Sequence, residues 1–188
     1  MMDDYNMMGL SSLAELNYMR LEAMDLFERC LTEGKPDSLI AFVERQISKD
    51  PPRVDLLREV AEDLHQRLMG LHDYYLDIWG RTVSTLGSDY GLEFDRKAAS
   101  APFNRFEVEN ILAQLKDKNP LVSSQDETVL RKMLDQSVET ALQLRADIGM
   151  TERLYVYICD WVDGLLSATI ARRYWSEGRN DEYAGGVH

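Results

Sequence analysis

Apolar residues recur along most of this chain at alternating steps of three and four, the spacing that lines up one face of an α-helix. The first run is Leu16, Met19, Ala23, Leu26 and Cys30, introduced by Ser12-x-x-Glu15 and followed by Gly34 and Pro36. Those flanks predict a capping box at the start and a glycine-proline stop at the end. A shorter helix is predicted from Asp37 to Lys49, with Leu39, Ile40, Phe42, Val43 and Ile47 as its apolar side. Asp50-Pro51-Pro52 then reads as a helix start, because a carboxylate caps free N–H groups and proline needs none.

The clearest pattern follows it. Leu57, Ala61, Leu64, Leu68, Leu71, Tyr75, Ile78, Thr82 and Thr85 keep a 4-3-4-3 spacing without a break. Such a run predicts one long helix with a coiled-coil-like seam, ended by the loop Gly87 to Gly91. Leu92 to Ser100 has no period and reads as loop. Ala101 to Lys118 reads as helix, with Phe103, Phe106, Ile111, Leu112 and Leu115 inward, and Asn119-Pro120 breaks it. Ser124-x-x-Glu127 opens the next helix, whose seam is Leu130, Leu134, Ser137, Ala141, Leu144 and Ile148. Gly149-Met150-Thr151 reads as a tight reversal. The last helix then places Leu154, Ile158, Trp161, Leu165, Ala168, Arg172 and Trp175 on one face, and Gly178 stops it.

No segment alternates with a period of two, so the expected class is all-α. The expected architecture is a helical bundle of five to six helices, with one long central helix and a C-terminal helical hairpin. Residues 1–178 are expected to form a single all-α domain, and 179–188 a short loose tail. Two consequences follow from length and pattern. A helix from Pro51 to Leu86 measures about 54 Å at 1.5 Å per residue. A compact chain of this size has a diameter of about 40 Å. The helix therefore kinks, with Gly70 and Gly80 as the sites, or a second copy of the chain shelters its seam. The last helix is apolar on nearly all sides, with only Asp160, Asp163 and Ser167 forming a polar strip. It is the expected core helix, and Trp161 is expected to be almost fully buried.

Charge and cysteine content narrow the partners. The 188 residues carry a formal net charge of −12. That balance works against nucleic acid, whose binding depends on basic residues displacing counterions, and against anionic lipid. Cys30 and Cys159 are the only cysteines, too few for a disulfide framework or a zinc set. The start Met1-Met2-Asp3-Asp4-Tyr5 is acidic where a signal peptide is basic. The most hydrophobic run, Leu154 to Ala171, carries two aspartates. A cytoplasmic protein is expected.

Several groupings carry possible chemistry, each beside a plainer reading. Glu62-x-x-His65 has the spacing of one di-iron ligand pair, but a carboxylate-bundle site needs a second such pair and two more glutamates. His72-Asp73 has the dipeptide of metal-dependent phosphohydrolases without their other histidines. His65 or His72 on an exposed helix face could accept a phosphoryl group, although neither is followed by a phosphotransfer box. Asp73-x-x-x-Asp77 and Asp160-x-x-Asp163 are the weak metal candidates, because two facing aspartate pairs can hold Mg²⁺ and a diphosphate. With 33 acidic residues, such spacings also arise by chance on a solvated face. Four of nine methionines, Met1, Met2, Met7 and Met8, sit in the first eight residues and suit an adaptable apolar contact. Tyr155, Tyr157, Trp161, Tyr174 and Trp175 suit core or interface anchoring more than a planar ligand.

No catalytic residue, cofactor-binding residue or cofactor is assigned. The expected function is a non-catalytic helical interaction protein (a regulator, adaptor or assembly factor) that self-associates and binds an unidentified protein partner, with no nucleic acid and no membrane. Met7, Met8, Leu64, Leu68, Leu71, Tyr75 and Trp175 are its expected contact residues. The alternative is a small all-α enzyme whose Mg²⁺-dependent carboxylate site acts on a phosphorylated or diphosphate substrate.

Overall fold

The computed structural model describes residues 4–91, 105–118 and 123–183, with side chains described over 12–91, 108–118 and 123–170. It is an all-α fold. The helices are α1 (Asp4–Glu33), α2 (Asp37–Ile47), α3 (Val54–Tyr90), α4 (Arg105–Lys118) and α5 (Ser124–Tyr183). The backbone gathers into two compact units. The first comprises Met1–Arg67 with Met150–His188, and the second comprises Leu68–Gly149.

In the first unit α1 starts at Asp4 rather than at Ser12, so the Ser12-x-x-Glu15 box lies inside a helix. It ends where the sequence says, at Gly34, whose φ of 66° admits the left-handed turn. The Lys35 N–H then donates back to the Cys30 carbonyl at 3.1 Å, closing the helix end. Ser38 ties α2 to α1 by donating to the Leu26 carbonyl at 3.3 Å. Ion pairs fix the direction of the neighbouring helices. Glu15 pairs with Arg53, Arg20 with Glu59 and Asp63, and Glu28 with Arg67. The numbers rise together, so α1 and the first part of α3 run parallel, and α2 is the return stroke between them. Ala23, Phe27, Cys30, Leu39, Phe42, Val43, Leu56, Leu57, Val60 and Leu64 close the core with Met150, Leu154, Ile158 and Val162 of α5.

In the second unit the ion pairs Glu109–Arg131 and Lys116–Glu127 have numbers that run in opposite senses, so α4 and α5 are antiparallel. Leu86, Val108, Ile111, Leu112, Leu115, Leu130, Leu134 and Val138 form its core. The cap of α5 is Ser123, one residue before the expected box: its Oγ accepts from the Asp126 N–H at 3.1 Å and donates to the Asp126 carboxylate at 2.7 Å.

The long seam of α3 is where the pattern puts it. Leu57, Leu64, Leu71 and Thr82 are buried, and Leu68, Tyr75 and Ile78 are half-buried. The helix passes through Gly87 and stops at Gly91, whose φ is 63°. Three further expectations need correction. There is no reversal at Gly149-Met150-Thr151: α5 is one continuous helix. An interior glycine costs only ~1 kcal/mol relative to alanine, which two strongly helical flanks outweigh when no proline follows. The same helix continues past Gly178 to Tyr183, into the expected loose tail. Trp161 is not a core residue but 40% exposed. The inward row is Met150, Leu154, Ile158 and Val162, a uniform step of four. Because positions 161 and 162 are both apolar, the sequence left the rotation of this helix open by one residue. Phe103 lies outside the described residues, as does the side chain of Phe106.

Candidate functional site

The described surface offers three places to look for chemistry. The first is the acidic pairs. Asp73 and Asp77 belong to the second unit, Asp160 and Asp163 to the first, and all four are exposed. Asp77 is engaged by Arg81 one turn on, at 2.7 Å. No group of three or more histidine, cysteine, aspartate or glutamate side chains among the described residues is placed to hold a metal ion.

The second is the surroundings of Glu62-x-x-His65. His65 of α3 lies against Tyr155 of α5, with ring centroids 5.5 Å apart and a tilt of 36°. The Cys159 thiol, one turn along, is the main influence that raises the Tyr155 phenol above its ordinary value, followed by partial burial and the Glu62 carboxylate. A phenol held neutral and a half-buried thiol pack the helices together, and the histidine serves as an aromatic face. His72 is exposed on the outer side of α3.

The third is a groove of about 660 Å³ between α1 and α3, whose lining includes Arg20, Leu21, Met24, Glu28, Asp63 and Arg67. Its arginines are committed. Arg20 donates from Nε and Nη2 to both oxygens of Asp63, at 3.0 and 2.7 Å, and from Nη1 to Glu59 at 3.0 Å. The hydrogen bond to Asp63 leads the effects that hold Arg20 charged, against a smaller cost of burial. Arg67 meets Glu28 at 3.0 Å. A paired, fork-to-fork arginine stiffens a helix contact and has few donors left for a free anion.

The expected contact residues divide by depth. Leu64 and Leu71 are buried within the chain, and Leu68 and Tyr75 are half-buried. The backbones of Met7, Met8 and Trp175 belong to α1 and α5, and their side chains lie outside the described ones. Other large apolar side chains reach solvent, among them Tyr18 and Leu21 on α1, Met69 and Leu76 on α3, Leu142 on α5 in the second unit, and Trp161, Leu166 and Ile170 farther along α5. The α3 pair is hard to read from the sequence because each member directly follows a residue of the more regular seam, Leu68 and Tyr75. The signal was present, since Met69, Leu76 and Val83 recur at intervals of seven.

Past Val162 the described turns of α5 bury little of themselves. Trp161, Leu165 and Ala168 line one side, Leu166 and Ile170 another, and only Leu165 is half-buried. No helix among the described residues is long and apolar enough to cross a membrane.

Comparison with protein-family models, with curated proteins and with solved structures finds no match to this chain.

Proposed function

We propose that the protein is a non-catalytic helical interaction protein that engages a protein partner through the far end of α5 and also associates with itself. The observation that carries the reading is the exposure of Trp161, Leu166 and Ile170 on consecutive turns. Single surface apolar residues are ordinary, whereas a helix that is apolar on most of its circumference and uncovered is the usual mark of an interaction segment. An exposed tryptophan supplies the large, low-entropy anchor that protein interfaces concentrate their energy on. Asp160 and Asp163 on the remaining strip keep one edge of the segment solvated.

The test is recovery of a stoichiometric partner from the native cell, with Trp161→Glu/Ile170→Glu beside the wild type. The expected result is loss of that partner with helicity and melting temperature unchanged, while Leu142→Glu, a charge placed on an exposed leucine of the second unit, leaves it bound. A partner retained by the double variant, or no stoichiometric partner at all, overturns the reading.

A further inference from the structure

The seam of α3 against α5 changes character at one layer of the second unit. Leu71 and Leu86 of α3, and Leu134 and Leu144 of α5, are buried aliphatic side chains on either side of it. At the layer itself Thr82 and Ser137 meet instead, their hydroxyl oxygens 3.3 Å apart. Together with Tyr75, Ile78, Trp79 and Ala141 they line a cavity of about 10 Å³. Both hydroxyl protons already have acceptors. Thr82 donates to the Ile78 carbonyl at 2.9 Å and Ser137 to the Met133 carbonyl at 3.0 Å, each one turn back in its own helix. With both bonds made, the contact between the two oxygens holds no proton, and their spare lone pairs stand side by side. The site therefore calls for a donor of two hydrogens. Its volume admits a molecule the size of one water and nothing larger. None of the lining side chains carries a charge, so a neutral molecule fits better than a cation.

We propose that an ordered water occupies this cavity and bridges α3 to α5, donating one hydrogen bond to Thr82 and one to Ser137. Thr82 is 5% exposed, so bulk solvent does not supply the bond that its oxygen lacks. A water held in this way is part of the fold. It turns a weak meeting of two hydroxyls into a joint between the helices, and it marks their register. A shift of α5 by one seam position would set Thr82 opposite Leu134 or Ala141 and leave the water with a single acceptor. A polar layer in an otherwise apolar seam selects one register in this manner, at some cost in stability.

The test is a thermal-melting cycle on the full chain, with a high-resolution crystal structure of the wild type beside it. Ala141→Val places two methyl groups in the cavity. In the wild type they expel the water and strand two acceptors, so the melting temperature should fall. In the Thr82→Val/Ser137→Ala background no acceptor is left to strand, and the same methyl groups fill dry space. The shift caused by Ala141→Val should therefore be clearly more negative in the wild type than in that background. A side chain that merely fits badly lowers both alike and cancels in the difference. The crystal structure should show a water within hydrogen-bonding distance of both oxygens. Equal shifts in the two backgrounds, or a cavity without that water, would overturn the proposal.

Discussion

Among the described residues, the first unit closes fifteen buried ones from four helical segments around Phe27 and Phe42, whereas the second closes eight from three segments, all of them leucine, isoleucine or valine. Both units keep charged pairs between helices at the rim, and both bury polar side chains: Gln46 and Thr151 in the first, Thr82 in the second. The second admits hydroxyls to its seam: Thr82 is 5% exposed and donates to the Ile78 carbonyl at 2.9 Å, and Ser137 donates to the Met133 carbonyl at 3.0 Å. The two oxygens lie 3.3 Å apart and share two protons among three contacts, so one acceptor goes without at any moment. The described core of the first unit surrounds aromatic side chains, whereas in the second small residues such as Ala141 and Ser137 line a void with room for about one water. Stability should therefore be unequal along the chain, with amides of the first unit exchanging last.

The sharpest way to break this comparison is to empty each core in turn. Phe42→Ala should cost about 3–5 kcal/mol and Leu134→Ala about 2–5 kcal/mol, read by urea unfolding with a probe in each unit. If Leu134→Ala costs more, the ranking of the units is reversed. At the next level, Gln46 of the first unit is 2% exposed with Oε1 unpartnered. Gln46→Met keeps the volume and removes the unpaired acceptor, so it should stabilise by about 1 kcal/mol. A loss instead would show that the amide holds the first unit together. In the second unit Thr82→Val should cost about 1 kcal/mol, and adding Ser137→Ala should recover most of it, because both hydroxyls then leave together. Additive losses would mean that the hydroxyl pair is not shared. The smallest effect is at the α4–α5 rim. The hydrogen bond from Arg131 holds the Glu109 carboxyl below its ordinary value of 4.5. A depressed carboxylate adds stability above its unfolded pKa, which is lost as pH falls through the folded one. Melting temperature should therefore drop slightly more steeply below about pH 4.5 in the wild type than in Arg131→Gln, and identical slopes would remove the pair from the ledger of the second unit.

How much was legible depended on the residue types at each boundary. The α3 seam could be read through nine positions, because every one-step rotation would have buried a charge. The end of α1 could be read because Gly34 and Pro36 act locally. The reversal at Gly149 was misread, since a lone glycine is compatible with both a stop and a continuing helix. The start of α1 was misread for the converse reason: a capping box at Ser12 is a local preference, and nothing local forbids helix before it. Of the candidate residues, Asp77 was foreseeable as paired, with Arg81 four positions on. The pairing of Arg20 with Asp63 was not, because 43 residues separate them.

By itself the sequence determined what periodicity and local sterics enforce: an all-helical chain, the inward side of α3, and the end of α1 at Gly34. Tertiary structure alone decided which of two adjacent apolar rows of α5 turns inward, that α5 runs unbroken through both units, and which leucines stay outside. A helix with apolar residues on most sides satisfies its local rules in several rotations, and only the shape of the neighbours it packs against selects one. That selection set Val162 in the core and left Trp161 in water.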